Sequence, residues 1–191
     1  MHRESLLQAL KRYEARYPQD RARSSAIAAF VCRQEDCFLR SCLEGHITAS
    51  AWVLSPGGRR FLLVHHKKLG AWLQPGGHAD GEPDTLTVAL NESREESGLD
   101  AFEVVLEERD GPVLPLDVDV HTIPEYGDVP EHLHYDIRYL LRASKEGPLS
   151  VSEESHDVRW FSWGEVEAVL EKESLRRMAE RARRLVAEGT L

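Results

Sequence analysis

One stretch constrains the fold of this chain more than any other. The glycine-rich run Leu73-Gln-Pro-Gly-Gly-His-Ala-Asp-Gly leads into a segment with a helix signal at each end: Asp84 as N-cap and Gly98 just past the last turn. The spacing predicts a helix over residues 85–97. Within it Glu92, Glu95 and Glu96 stand at i, i+3 and i+4, so all three carboxylates share one face, while Leu86, Leu90 and Ser93 point the other way. Like charges at this spacing destabilise a helix by roughly 0.2–0.5 kcal/mol per pair. A divalent cation reverses the sign of that interaction, and an all-oxygen donor set suits Mg²⁺ or Mn²⁺. Spacing alone leaves a plain solvated acidic face as the other reading.

The rest of the chain alternates between helix and strand signals. Residues 4–17 carry Leu6, Leu7, Leu10, Tyr13 and Tyr17 near one stripe, and Pro18 stops that helix. Residues 20–34 read as a second helix. From His46 the period shortens: 46–54 and 60–66 are strand-like and are joined by Ser55-Pro-Gly-Gly. Residues 73–81 read as a loop. Strand-like runs follow at 101–109, 113–123, 132–142 and around Trp160, and residues 164–187 carry one or two amphipathic helices. This order predicts an α/β fold, a mixed sheet with helices on both faces. The expected organisation is an N-terminal helical extension over 1–45 and a catalytic-type domain over 46–191.

Composition excludes several classes. The chain has 191 residues, 33 acidic against 24 basic, for a formal charge of −9. That balance argues against an extended nucleic-acid surface. The longest apolar run, residues 26–32, is far short of the ~18 residues a membrane helix needs. Three cysteines, Cys32, Cys37 and Cys42, give an odd count with no disulfide framework, and no apolar signal region opens the chain, so a cytoplasmic setting is expected. Their spacing toward His46 is not that of a zinc knuckle. The arginines at 176, 177, 181, 183 and 184 are expected on a solvated basic helix face.

The stretch from Gly77 to Leu99 resembles the Nudix box: Gly, five residues, Glu, seven residues, Arg-Glu, an aliphatic, any residue, Glu-Glu, any residue, Gly, an aliphatic. Gly77, Glu92, Glu95, Glu96, Gly98 and Leu99 fall in register. Three positions depart: Pro83 stands in place of the first Glu, Asn91 in place of the Arg, and Ser93 in place of the aliphatic. The run Glu154-Ser-His-Asp-Val-Arg-Trp-Phe161 resembles a downstream segment of many members, and the resemblance spans residues 46–170. It implies a Nudix-like α/β/α sandwich that hydrolyses, with Mg²⁺ or Mn²⁺, a diphosphate linkage in a nucleoside di- or triphosphate or a related nucleotide derivative. It implies metals on Glu92, Glu95 and Glu96, and Glu154, ahead of Glu153, as a further ligand or base. Gly76 and Gly77 let the backbone approach phosphates, and Trp72 is a candidate for the border of the substrate cleft. The partner expected is a small phosphorylated molecule. Whether the chain forms a homodimer is open. The rival is a non-catalytic nucleotide- or metal-binding module on a degenerate Nudix fold, with Pro83 and Asn91 recording lost chemistry.

Histidines form a second constellation. His132 and His134 alternate and so share a strand face, His46 opens the first strand, and His78 follows the paired glycines. Together they are candidates for a second site holding a transition metal. His121, alternating with Asp117 and Asp119, is a fifth candidate. The spacing of His46, Gly77-His78 and the 132/134 pair is also similar to the metal site of isopentenyl diphosphate isomerase. Histidines replace that enzyme's strand glutamates, and Gly76 stands where it needs a cysteine.

Overall fold

The computed structural model describes residues 2–107 and 111–189. Two antiparallel helices open it, α1 (Glu4–Arg16) and α2 (Arg21–Arg33), with Pro18 starting a short 3-10 turn between them. β1 (Gly45–Leu54) and β2 (Arg60–His66) follow, joined by a turn in which Gly58 N–H donates to the Ser55 carbonyl at 2.8 Å. The glycine-rich run holds two short strands, β3 (Ala71–Leu73) and β4 (Gly76–His78). The loop expected there is corrected on this point: β4 pairs antiparallel with β1, so a tertiary partner imposes extended backbone on glycines with no strand preference of their own.

Helix α3 spans Thr85–Ser97. Asp84 caps it, accepting from the Leu86 N–H at 3.1 Å, and Gly98 closes it in the left-handed conformation at φ +73°. Then come β5 (Phe102–Val104), β6 (Asp117–Ile123), β7 (His132–Ala143) and β8 (Ser155–Ser162), and finally α4 (Val166–Val169) and α5 (Glu173–Ala187). The strand expected over 101–109 is confined to Phe102–Val104, and part of that run lies outside the described residues.

All eight strands form one mixed sheet, with β1 and β7 parallel at its centre and the remaining pairings antiparallel. Alternation gives the sheet two faces of different chemistry. Ile47, Ala49, Ala51, Val53, Ile137 and Tyr139 face one way and pack with α3 and the N-terminal helices. There Phe30 of α2 stacks on Tyr135 at 3.9 Å between ring centroids, a contact worth about 0.5–1.5 kcal/mol beyond the area it buries. On the opposite face the chemistry changes along the strands. Trp52, Leu54, Phe61 and Leu140 lie under α5. Asp136, Arg138, Asp117 and Asp119 form an ionic ladder in the middle. Imidazoles occupy the far end. The result is the expected α/β/α sandwich.

The ionic ladder corrects the expectation for the C-terminal helix. Arg177 and Arg181 do not form a solvated face. Arg177 makes two bonds to Asp117, at 2.8 and 2.9 Å, and Arg181 is buried against Asp117 (2.6 Å), the Tyr13 hydroxyl (2.6 Å) and Asp20. Buried aspartates need these counter-charges. α5 is thereby tied to both β6 and the N-terminal helices. Among the described residues no helix is long and apolar enough to cross a membrane.

Candidate active site and imidazole cluster

The carboxylates of α3 converge on β4. Glu96 is buried and its Oε2 accepts the Gly76 N–H at 2.8 Å. Glu92 lies against Gly77 so closely that a β-carbon on that glycine would overlap its carboxylate. Only a residue without a side chain leaves the carboxylate its place. Glu95, on the same helix face, is exposed. Burial, followed by the charges of Glu95 and Glu154, pushes the Glu92 carboxyl up to about 7. Burial also pushes Glu96 up to about 7, against the opposing pull of the Gly76 N–H. Glu154, exposed just before β8, therefore acts electrostatically on both Glu92 and Glu96. Glu153 is exposed as well, its backbone carbonyl accepting from Lys67 Nζ at 2.7 Å.

The positions that depart from the Nudix box have other duties. Asn91 is exposed, and its side-chain oxygen accepts from Arg94 at 2.9 Å. Glu82, beside Pro83, accepts the Asp84 N–H at 2.9 Å and so braces the helix start. The positive charge near the carboxylates comes from Arg40, which sequence reasoning missed. Arg40 lies in the connection between α2 and β1, forms a two-point pair with Asp80 at 2.6 Å on each side, and draws the Glu92 pKa downward. No local signal marks it, because its partners are far along the chain.

Trp72 is half-buried on the ionic side of the sheet, packed edge-on against Phe161 at 4.8 Å, with the Arg159 guanidinium 4.6 Å from its ring centre.

The histidines meet on the face of β4 opposite Glu92. In the strand register His46 stands across from His134, His134 from His121, and Thr48 from His78. Paired residues share a face, so β1, β4, β6 and β7 each send an imidazole to one place. His46, His78 and His134 each offer a ring nitrogen within 4.8 Å of the others. His132 adjoins them, its ring centre 4.9 Å from that of His46 and 5.2 Å from that of His134. His121 stands 5.6 Å from His134, centre to centre. Burial, then the charge of Arg40, holds His78 down at about 4. Burial and the neighbouring imidazoles hold His134 well below its ordinary value, and burial and His132 lower His46.

Residues 45–187 match the NUDIX domain family. The chain belongs to the Nudix family. Solved structures share the fold. A Nudix-family hydrolase from Clostridium perfringens is 22% identical, with a TM-score of 0.57 over 73% of this chain and 97% of that one. An Ap4A hydrolase from C. elegans is 14% identical, with a TM-score of 0.54 over 74% of this chain and 98% of that one. A MutT Nudix hydrolase from Burkholderia pseudomallei is 23% identical, with a TM-score of 0.50 over 72% and 97%. No curated protein matches the sequence. In class, then, this Nudix chain is a pyrophosphohydrolase.

Proposed function

We propose that the chain hydrolyses the diphosphate linkage of a nucleoside di- or triphosphate, or of a related nucleotide derivative, with Mg²⁺ or Mn²⁺ held by Glu92, Glu95 and Glu96. The observation that carries this reading is the convergence of the half-buried Glu92 and the buried Glu96 on β4, beside the exposed Glu95 and Glu154, with burial pushing both converging carboxyls up. Such a cluster is costly without a counter-charge, and its all-oxygen donors fit a hard divalent ion. That the C. elegans relative is an Ap4A hydrolase agrees with a nucleotide substrate.

When bound, the metal would neutralise phosphate charge and lower the pKa of a water. The chain's own residues do the rest. Gly77 leaves the Glu92 carboxylate the space a β-carbon would take, and Gly76 lets β4 lie close against β1. Glu96, fixed by the Gly76 N–H, holds that loop at a set distance from α3. Glu154, exposed at the rim, accepts the proton as a water oxygen bonds to phosphorus and the bridging P–O bond breaks. The three free thiols suit a reducing compartment such as the cytoplasm.

The test is phosphate release over a panel of nucleotides with Mg²⁺ and with Mn²⁺, for the wild type and Glu96→Gln. Turnover of at least one nucleotide, cut by roughly 10²-fold or more in the variant, is expected. A rate equal in the two proteins overturns the proposal. One observation favours the rival binding module: Asn91 faces solvent and Arg94, leaving the place of the box arginine without a cation for the carboxylates. Asn91→Arg raises the rate of a weakened enzyme and changes nothing in a module that only binds.

A further inference from the structure

We infer that His46, His78 and His134, completed by His132, form a binding site for one borderline divalent transition ion of the Zn²⁺, Fe²⁺ or Co²⁺ class, separate from the carboxylate site on the other side of β4. The inference stands on the imidazole geometry and does not require the hydrolytic reading to hold.

Several observations point the same way. Two nitrogens bound to one such ion lie about 3.0–3.4 Å apart, given metal–nitrogen distances near 2.0–2.1 Å. His46 Nε2 and His134 Nε2 are separated by 3.1 Å. A single N–H···N hydrogen bond would satisfy that pair but would leave His78, His132 and His121 without a reason to gather there. Three strands must aim rings at one point to bring the central trio together, and β6 adds a fourth.

The surrounding contacts set the rings up as ligands. His132 Nδ1 lies 2.8 Å from the Pro130 carbonyl. A carbonyl oxygen only accepts, so Nδ1 carries the proton and Nε2 keeps its lone pair. His121 Nδ1 lies 3.4 Å from Asp119 Oδ2, which places a carboxylate beside the ring nearest the site from β6. Asp119 is held in turn by Arg138 and Arg177.

Donor chemistry separates the two sites. Imidazole nitrogens favour Zn²⁺, Fe²⁺, Co²⁺ and similar ions over Mg²⁺, while the α3 carboxylates offer only oxygen. Gly77 faces Glu92 and the next residue, His78, faces the imidazoles, so consecutive residues of one strand serve the two sites.

The experiment uses the full chain stripped with a chelator and titrated with Co²⁺ and with Zn²⁺ in excess Mg²⁺. The expected result is one ion per chain that Mg²⁺ does not displace, with visible Co²⁺ bands from nitrogen ligands. His134→Ala should weaken it at least 100-fold and, as a milder change, His78→Asn at least 10-fold, while Glu96→Gln leaves it intact. Absence of Mg²⁺-resistant binding overturns the inference. So does binding that Glu96→Gln abolishes, or binding that survives both histidine variants with the fold intact by circular dichroism. Loss of hydrolysis in Glu96→Gln with this ion still bound tells the two sites apart.

Discussion

Gly77 and Glu92 occupy the same small volume: the carboxylate sits where the glycine's β-carbon would be. The atoms in conflict belong to the end of a flexible side chain, so Gly77→Ala is expected to keep the fold and expel Glu92. At position 76 the added carbon would instead meet the Ser50 β-carbon and the Ala49 carbonyl, which cannot move without breaking the β1–β4 pairing. Gly77→Ala should therefore cut turnover at least ~10-fold with little change in melting temperature, and Gly76→Ala should lower the melting temperature itself. Thermal melts run beside Mg²⁺-dependent kinetics check both. Full activity in Gly77→Ala would remove Glu92 from the site.

Glu153 and Glu154 are neighbours with different expected weights. Glu154 is among the leading charges that act on Glu92 and Glu96, and Glu153 is not. Glu154→Gln should lower kcat by about 10²-fold or more, within the range for general bases, and Glu153→Gln should leave it near the wild-type value. Equal effects would mean that neither is the proton acceptor.

The buried Arg181 joins Tyr13, Asp20 and Asp117. Arg181→Met leaves two buried aspartates short of a partner and should cost roughly 3 kcal/mol in denaturant unfolding. A loss under ~0.5 kcal/mol would show that the remaining arginines suffice.

Acid should loosen the same region. Burial alone would raise Asp20 and Asp119. The Tyr13 hydroxyl and Arg181 outweigh it at Asp20, and His121 and Arg138 at Asp119, so both carboxyls sit below their ordinary values. Their ionised pairs stabilise the fold above about pH 4, and that contribution fades as pH falls below it. Stability measured between pH 6 and pH 3 should decline in this window, and less steeply in Arg181→Met.

The thiols give a structural check free of metals. Cys32 is exposed, while Cys37 and Cys42 are buried, with burial pushing the Cys37 thiol up to about 11. A disulfide reagent at neutral pH should label one thiol quickly and the other two only after unfolding.

The elements written in local chemistry were the legible ones. Asp84 and Gly98 bound α3, and Ser55-Pro-Gly-Gly placed the turn between β1 and β2, because caps and turns need only near neighbours. β4 was not legible, since Gly-Gly-His becomes a strand only through pairing with β1. At the site, Glu92, Glu95 and Glu96 could be placed on one helix face by spacing, whereas Arg40 could not, its charge reaching Glu92 through the tertiary fold. The 132/134 pair was visible as alternation, and spacing grouped His46 and His78 with it, although the contact itself is made by the pairing of β1 with β4 and β7. Arg177 and Arg181 read as surface charge because their aspartate partners lie on β6 and before α2.

β4 is only three residues long, yet the parity of its backbone governs both ends of the chemistry. Deleting a single residue between 74 and 76 would turn an imidazole toward α3 and a bare glycine toward the other rings, emptying two sites with one edit. The length of this small stretch is therefore as much a functional specification as the identity of any side chain it carries.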